Sequence, residues 1–206
     1  GSLFAAGPAV RDAWAGAAGK TRVTVKLYEL KLRQAWGLSR GTWTTRRNCY
    51  VRIDRDGVVG LGEAAPIARY NETAESAAAF IDKARPVLER DLEDYAVRWS
   101  DVDAVGPGEH AAKAALDMAI LDWVGQRLKI PLWKLLGLGR EKTVTTTYSI
   151  GIDEVPVMQQ KVRDAAEFSV YKIKVGSADD RKIIEGIRAV TAKPLRTDAN
   201  EGWKTK

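Results

Sequence analysis

From Arg22 to Arg33 apolar and charged residues alternate (RVTVKLYELKLR), the period-two pattern of a strand with one buried face. The spacing predicts a loop over 34–41, a second strand over 42–53 and a hairpin turn at Asp54 to Gly57, where Asp-Gly supplies the positive-φ positions. A third strand follows over 58–64, so a three-stranded meander opens the fold. Gly60 and Gly62 have no helix directly after them. They therefore suggest close packing rather than a phosphate loop.

Helical spacing takes over after a loop at 66–71. Asn71 or Thr73 can cap a helix that buries Ala77, Phe80, Ile81, Ala84, Val87 and Leu88, with Pro86 expected to kink or split it. Past Val105 to Gly108, the residues Leu116, Ala119, Ile120, Trp123, Val124 and Leu128 predict a second amphipathic helix, on which Asp117 and Asp122 face polar neighbours. Lys129 to Pro131 stops it, and a short helix over 132–136 ends at Gly137. Strands and helices then alternate. A strand over 144–150 leads into a helix with Asp153 as cap, Pro156 in its first turn, and Met158, Val162, Ala165 and Ala166 buried. Next come the strand YKIKVG and a helix begun by Ser177 to Asp180, which resembles a capping box and buries Ile183, Ile184, Ile187 and Val190. A last strand enters TDANEGW. Strands recurring with a helix between them predict a parallel βα array.

Parity places the chemistry. In the first of these last two strands Tyr171, Ile173 and Val175 share one face; Val170, Lys172 and Lys174 share the other. In the second, Leu195, Thr197 and Ala199 point outward, and Arg196, Asp198 and Asn200 inward. Lys174 and Asp198 thus meet at the C-terminal ends of neighbouring strands, where β/α barrels build their active sites. A lysine base beside a metal-binding carboxylate is the pairing that removes a proton from carbon next to a carboxylate. The plainer alternatives are a solvated edge strand for Lys-x-Lys and a helix cap for the Asp. Their matched parity, one βα unit apart, favours the functional reading.

Composition narrows the rest. Among 206 residues there is one cysteine, Cys49, and one histidine, His110, so a disulfide framework within the chain and a Cys/His metal cluster are excluded. The net charge of +6 is spread along the chain rather than gathered into a nucleic-acid patch. No apolar run is long enough for a membrane helix. Residues 1–20 differ in kind, rich in Gly and Ala. They suggest a leader, a tag or a disordered segment, with Ala13, Trp14 and Ala15 forming a small-x-small cleavage pattern.

These motifs carry a resemblance. The N-terminal α+β part followed by YKIKVG and TDANEGW resembles the enolase superfamily, muconate-lactonising subgroup, over about Arg22 to Lys206. Within it, LSRGTWTTRRNCYVRI, GLGEAAPIARYNETAES, AAKAALDMAILDW and YSIGID look like dipeptide epimerases of the L-Ala-D/L-Glu type. The resemblance implies an α+β capping domain over 21–140, then the first three strands of an incomplete TIM-like barrel over 141–206. It also implies Lys174 as the base on one face of the substrate α-carbon, and Lys172 as a contact to the substrate carboxylate that tunes its neighbour. Asp198 falls on the first magnesium ligand, with Asn200 supporting it. Arg40 falls on the substrate-binding arginine, and Ser149 on a substrate-touching hydroxyl where many members carry Thr.

The implied function is magnesium-dependent dipeptide epimerisation, a 1,1-proton transfer through an enediolate on Ala-Glu type dipeptides. Other activities of the subgroup are muconate cycloisomerase, o-succinylbenzoate synthase and N-acylamino acid racemase. A non-catalytic binding module is the alternative from another class. A closed barrel needs eight strands. The expectation is therefore an N-terminal fragment, inactive alone, whose remaining metal carboxylates and opposing lysine lie elsewhere and whose basic charge reflects their absence. The intact protein is expected to be a homo-oligomer in the cytoplasm, or in the periplasm if residues 1–20 are a signal-peptide remnant. It is expected to engage neither nucleic acid nor membrane.

Overall fold

The computed structural model describes residues 20–204; the leader and its Ala13 to Ala15 pattern lie outside them. Two compact units form. One takes residues up to Glu29 together with Arg47–Leu138; the other takes Leu30–Arg46 and residues from Gly139 on.

The first unit is α+β. Strands β1 (Arg22–Leu38), β2 (Gly41–Arg55) and β3 (Val58–Ala64) make an antiparallel sheet in the order β1-β2-β3. The β2–β3 turn is the two-residue kind, with Asp56 at φ 54° and Gly57 at φ 73°, and Arg55 pairs with Val58 across it. Helices α1 (Ala74–Leu88), α2 (Tyr95–Asp103) and α3 (His110–Leu128) pack on the sheet, and a one-turn helix α4 (Leu132–Leu135) follows.

The core joins Cys49, Val51, Ile53 and Ala64 of the sheet to Phe80, Ile81, Leu116, Ile120 and Trp123 of the helices. Close approach of α3 requires the two β3 glycines. A Cβ on Gly60 would lie 2.1 Å from the Ala119 carbonyl oxygen, and one on Gly62 1.9 Å from that of Ala115. Asp122 accepts a hydrogen bond from the Leu61 N–H at 2.9 Å, so a polar helix residue covers the edge of the sheet. Thr73 caps α1 in a reciprocal box with Ser76, at 3.0 Å in each direction. The buried Glu72 carboxylate accepts from the His110 and Ala111 N–H groups, satisfying the start of α3.

The second unit begins with the tip of the β1–β2 hairpin, turning at Ser39 and Arg40. Parallel strands β4 (Tyr148–Ile150), β5 (Tyr171–Lys174) and β6 (Leu195–Asp198) form a sheet in the order β4-β5-β6. Helices α5 (Val155–Asp164) and α6 (Asp180–Arg188) connect them. Ile150, Tyr171, Ile173 and Val175 are buried against Met158, Val162, Ile183 and Ile187, as the parity of β5 requires. The architecture is the expected one: an α+β N-terminal part, then the first three strands of a β/α array. Among the described residues, no helix is long and apolar enough to cross a membrane.

Several local expectations fail for identifiable reasons. The predicted loop at 34–41 is mostly strand: β1 continues to Leu38, and the Gly37 carbonyl accepts from the Ile152 N–H at 2.9 Å. A Cβ at Gly37 would meet the Ile152 carbonyl oxygen at 2.0 Å, so a non-local contact sets this stretch. Helix α1 runs unbroken through Pro86 to Leu88, because a proline so near the C-terminal end removes little of the hydrogen-bond ladder. Val144 to Thr147 are not strand; β4 begins at Tyr148, and Val144 is 91% exposed, with no face to bury. Ala166 is exposed and does not join the core. The cap of α5 is Glu154, while Asp153 instead accepts from the Glu154 N–H and from Lys161.

Candidate active site

Barrel-type registry aligns the candidate residues. Across the sheet Ser149, Lys172 and Arg196 are Cα partners, and Lys174 is the partner of Asp198. Side chains in register on parallel strands point the same way. The face opposite the apolar layer therefore carries a hydroxyl, three basic groups and one carboxylate.

Lys174 Nζ donates to Asp198 Oδ2 at 2.9 Å and to Asn200 Oδ1 at 2.8 Å. Lys172 Nζ lies 2.8 Å from the same Asp198 oxygen. The other carboxylate oxygen, Asp198 Oδ1, accepts from the Asn200 N–H at 2.9 Å. Lys174 is 8% exposed, held by its partners at the end of β5. The Lys172 ammonium first, then Lys174 and the Asn200 N–H, hold the Asp198 carboxyl far below the usual carboxylate range.

The folded value being lower than the unfolded value of about 3.9, this carboxylate adds stability that is complete above that pH and fades as pH falls through the folded value. Denaturant unfolding should therefore show wild type losing its margin over Asp198→Asn as pH drops below about 4. A margin independent of pH down to strong acid would contradict the ion-pair account.

Two further parts complete the mouth. At the β5–α6 loop, Asp180 accepts from the Gly176 and Ser177 N–H groups, from Ser177 Oγ, and from Trp203 Nε1 at 2.7 Å. The expected capping box is half present: Asp180 reaches back to the Ser177 N–H, but Ser177 Oγ accepts from the Asp179 N–H. The carboxylate thereby ties the end of β5 to the segment after β6. At the hairpin tip, Ser39 Oγ donates to the Asn200 carbonyl at 3.1 Å, and Arg40 Nη1 lies 3.2 Å from Glu201 Oε2.

The structure thus brings Lys172, Lys174, Asp198 and Asn200 into one hydrogen-bonded group, sets Ser149 beside Lys172 in register, and places Arg40, from the β1–β2 turn, against Glu201 of the turn that follows β6. Ser39, Asp180 and Glu201 belong to the same constellation and were not singled out from the sequence as site residues. Only the adjacency of Glu201 to Asn200 hinted at its place.

The excess of ammonium and guanidinium groups over carboxylate suits an anionic substrate group, and an amine beside it suits proton transfer. These residues do not by themselves make a magnesium site. Among the described residues no three His, Cys, Asp or Glu side chains converge, and Asp198 already answers two lysines. Cys49 offers no nucleophile: burial, with Asp82 and Glu75, pushes its thiol up to about 11.

Comparison with known proteins gives the family. Residues 20–137 match the family described as Mandelate racemase / muconate lactonizing enzyme, N-terminal domain. An L-Ala-D/L-Glu epimerase of Bacteroides thetaiotaomicron is 40% identical over 194 residues, which are 93% of this chain and 50% of that protein. An L-Ala-D/L-amino acid epimerase of Pedosphaera parvula is 39% identical over 184 residues, 86% of this chain and 53% of the relative. A crystal structure of a dipeptide epimerase from Enterococcus faecalis V583, complexed with Mg and the dipeptide L-Leu-L-Tyr, superposes with a TM-score of 0.81 at 30% identity. It covers 90% of this chain and 55% of that one. The chain spans about half the length of the curated relatives it matches. It belongs to the mandelate racemase / muconate lactonizing enzyme family of the enolase superfamily.

Proposed function

We propose that these residues form part of the active site of a magnesium-dependent dipeptide epimerase acting on Ala-Glu type dipeptides. The single observation that supports it most is the buried Lys174 amine on the inner face, within hydrogen-bond distance of Asp198, with Lys172 on the same carboxylate. The epimerases among the relatives support a dipeptide as the substrate class.

In this reading the substrate carboxylate lies against Lys172, and Ser149 offers a hydroxyl beside it. In its neutral form Lys174 Nζ takes the proton from the adjacent α-carbon and becomes the ammonium, and the C–H electron pair passes into the enediolate. Return of a proton to the opposite face, from a second lysine in the family pattern, inverts the centre. Asp198 is the carboxylate this chain offers a magnesium ion, whose charge would steady the enediolate oxygens. The remaining ligands have to come from outside the described residues.

The test is conversion of L-Ala-L-Glu to L-Ala-D-Glu by the full-length protein, followed by chiral chromatography, beside muconate and N-acylamino acids as competing substrates. Turnover of the dipeptide is expected; turnover of only the others would overturn the proposal. Arg40→Ala should raise KM for L-Ala-L-Glu about tenfold, the worth of a charge-assisted hydrogen bond, with little change in kcat. An unchanged KM would show that Arg40 does not meet substrate.

A further inference from the structure

The turn after β6 is strained in a way that the chemistry above leaves unexplained. Asn200 at φ 45° and Glu201 at φ 68° are consecutive non-glycine residues in the left-handed region, which disfavours L side chains. The Gly202 N–H closes the turn on the Ala199 carbonyl at 2.8 Å. Such a turn prefers glycine at its second central position. Here that position holds a glutamate whose carboxylate is delivered to Arg40 at 3.2 Å, while Ser39 Oγ bonds the Asn200 carbonyl next to it.

We propose that Glu201 is a specificity-determining residue: it competes with the acidic group of a substrate for Arg40, and so sets how strongly the site prefers an acidic to a neutral dipeptide. This rests on the reading of Arg40 as a substrate-binding residue. A guanidinium has several N–H donors but a single charge. A carboxylate already beside it lowers what a second carboxylate gains by binding there. The penalty falls only on substrates that use Arg40. Both side chains are partly open to water, Arg40 39% and Glu201 60% exposed, so the pair is weak enough to be displaced and its removal shifts affinity by about fivefold at most.

The test measures kcat/KM for L-Ala-L-Glu and for the neutral L-Ala-L-Leu in the full-length protein, in wild type, Glu201→Gln, Glu201→Gly and Arg40→Ala. The glycine variant removes the carboxylate and also relieves the positive φ, so it guards against a variant that folds poorly. Both Glu201 variants should raise the Ala-Glu to Ala-Leu ratio by about two- to fivefold. A purely structural role would move both substrates together and leave the ratio fixed.

A ratio that stays or falls in either Glu201 variant overturns the proposal. If Arg40→Ala still selectively loses L-Ala-L-Glu in that case, the reading of Arg40 survives alone. If Arg40→Ala spares both substrates, Arg40 is not a substrate residue and the role of Glu201 falls with it. No turnover of either dipeptide by wild type overturns the assigned function, and this inference with it.

Discussion

Lys174→Ala should reduce epimerisation by about a thousandfold, within the range that a positioned acid–base group contributes. The substitution removes the amine that meets both Asp198 and Asn200. No other described side chain replaces it on that face: Lys172 lies two residues earlier on β5 and already contacts the Asp198 carboxylate. That contact also argues that the variant still folds, because Asp198 keeps one ammonium partner. Circular dichroism and an unchanged unfolding midpoint would separate loss of chemistry from loss of structure. Activity within a few-fold of wild type would remove Lys174 from the mechanism.

The second large effect is on stability. Gly62→Ala should destabilise the first unit by about 3 kcal/mol, the upper part of the range for forcing atoms into a packed core. The added methyl would stand 1.9 Å from the Ala115 carbonyl oxygen and 2.8 Å from its carbon, and a backbone cannot rotate aside as a side chain does. Helix α3 has to back off β3, loosening Leu116, Ile120 and Trp123 together. Gly57→Ala is the control: it strains a φ of 73° but meets nothing within 4 Å, and should cost about 1 kcal/mol. Urea unfolding of the two variants measures both. Equal midpoints would show that the glycine contact does not govern packing.

Where local pattern and tertiary demand coincide, the sequence was enough. Tyr171, Ile173 and Val175 alternate with Lys172 and Lys174 because one face of β5 meets α5 and α6 and the other meets the mouth, so parity alone predicted the Lys174–Asp198 pair. Asp56-Gly57 announced itself as a turn, and Thr73 was one of two candidate caps with Asn71, since this chemistry is local. Gly60 and Gly62 read as packing glycines because no helix follows them directly, although the helix they make room for, α3, is distant in sequence.

Residues fixed by distant partners were not legible. The extension of β1 to Leu38 depends on Ile152, over a hundred residues away. Helix α2 buries only Arg98 and Val102 and has no side-chain cap, so its periodicity is too thin to detect. The Asn200-Glu201 turn contradicts turn propensity, which favours glycine where Glu201 stands, and its contacts to Ser39 and Arg40 cross from one end of the unit's sequence to the other. Resemblance to the family located Arg40; it gave no reason for Arg40 to meet Glu201.

The central claim, that Lys174 moves the α-proton on one face, is tested most directly by deuterium uptake from heavy water. L-Ala-L-Glu and L-Ala-D-Glu would each be incubated with full-length Lys174→Ala protein and magnesium, and the α-carbon of the Glu residue followed by proton NMR. A base on one side of the enediolate plane cannot reach the other. The account therefore predicts that the variant exchanges the α-proton of one epimer and not of the other, while wild type exchanges both. Exchange of both epimers by Lys174→Ala, at wild-type rates, would contradict it.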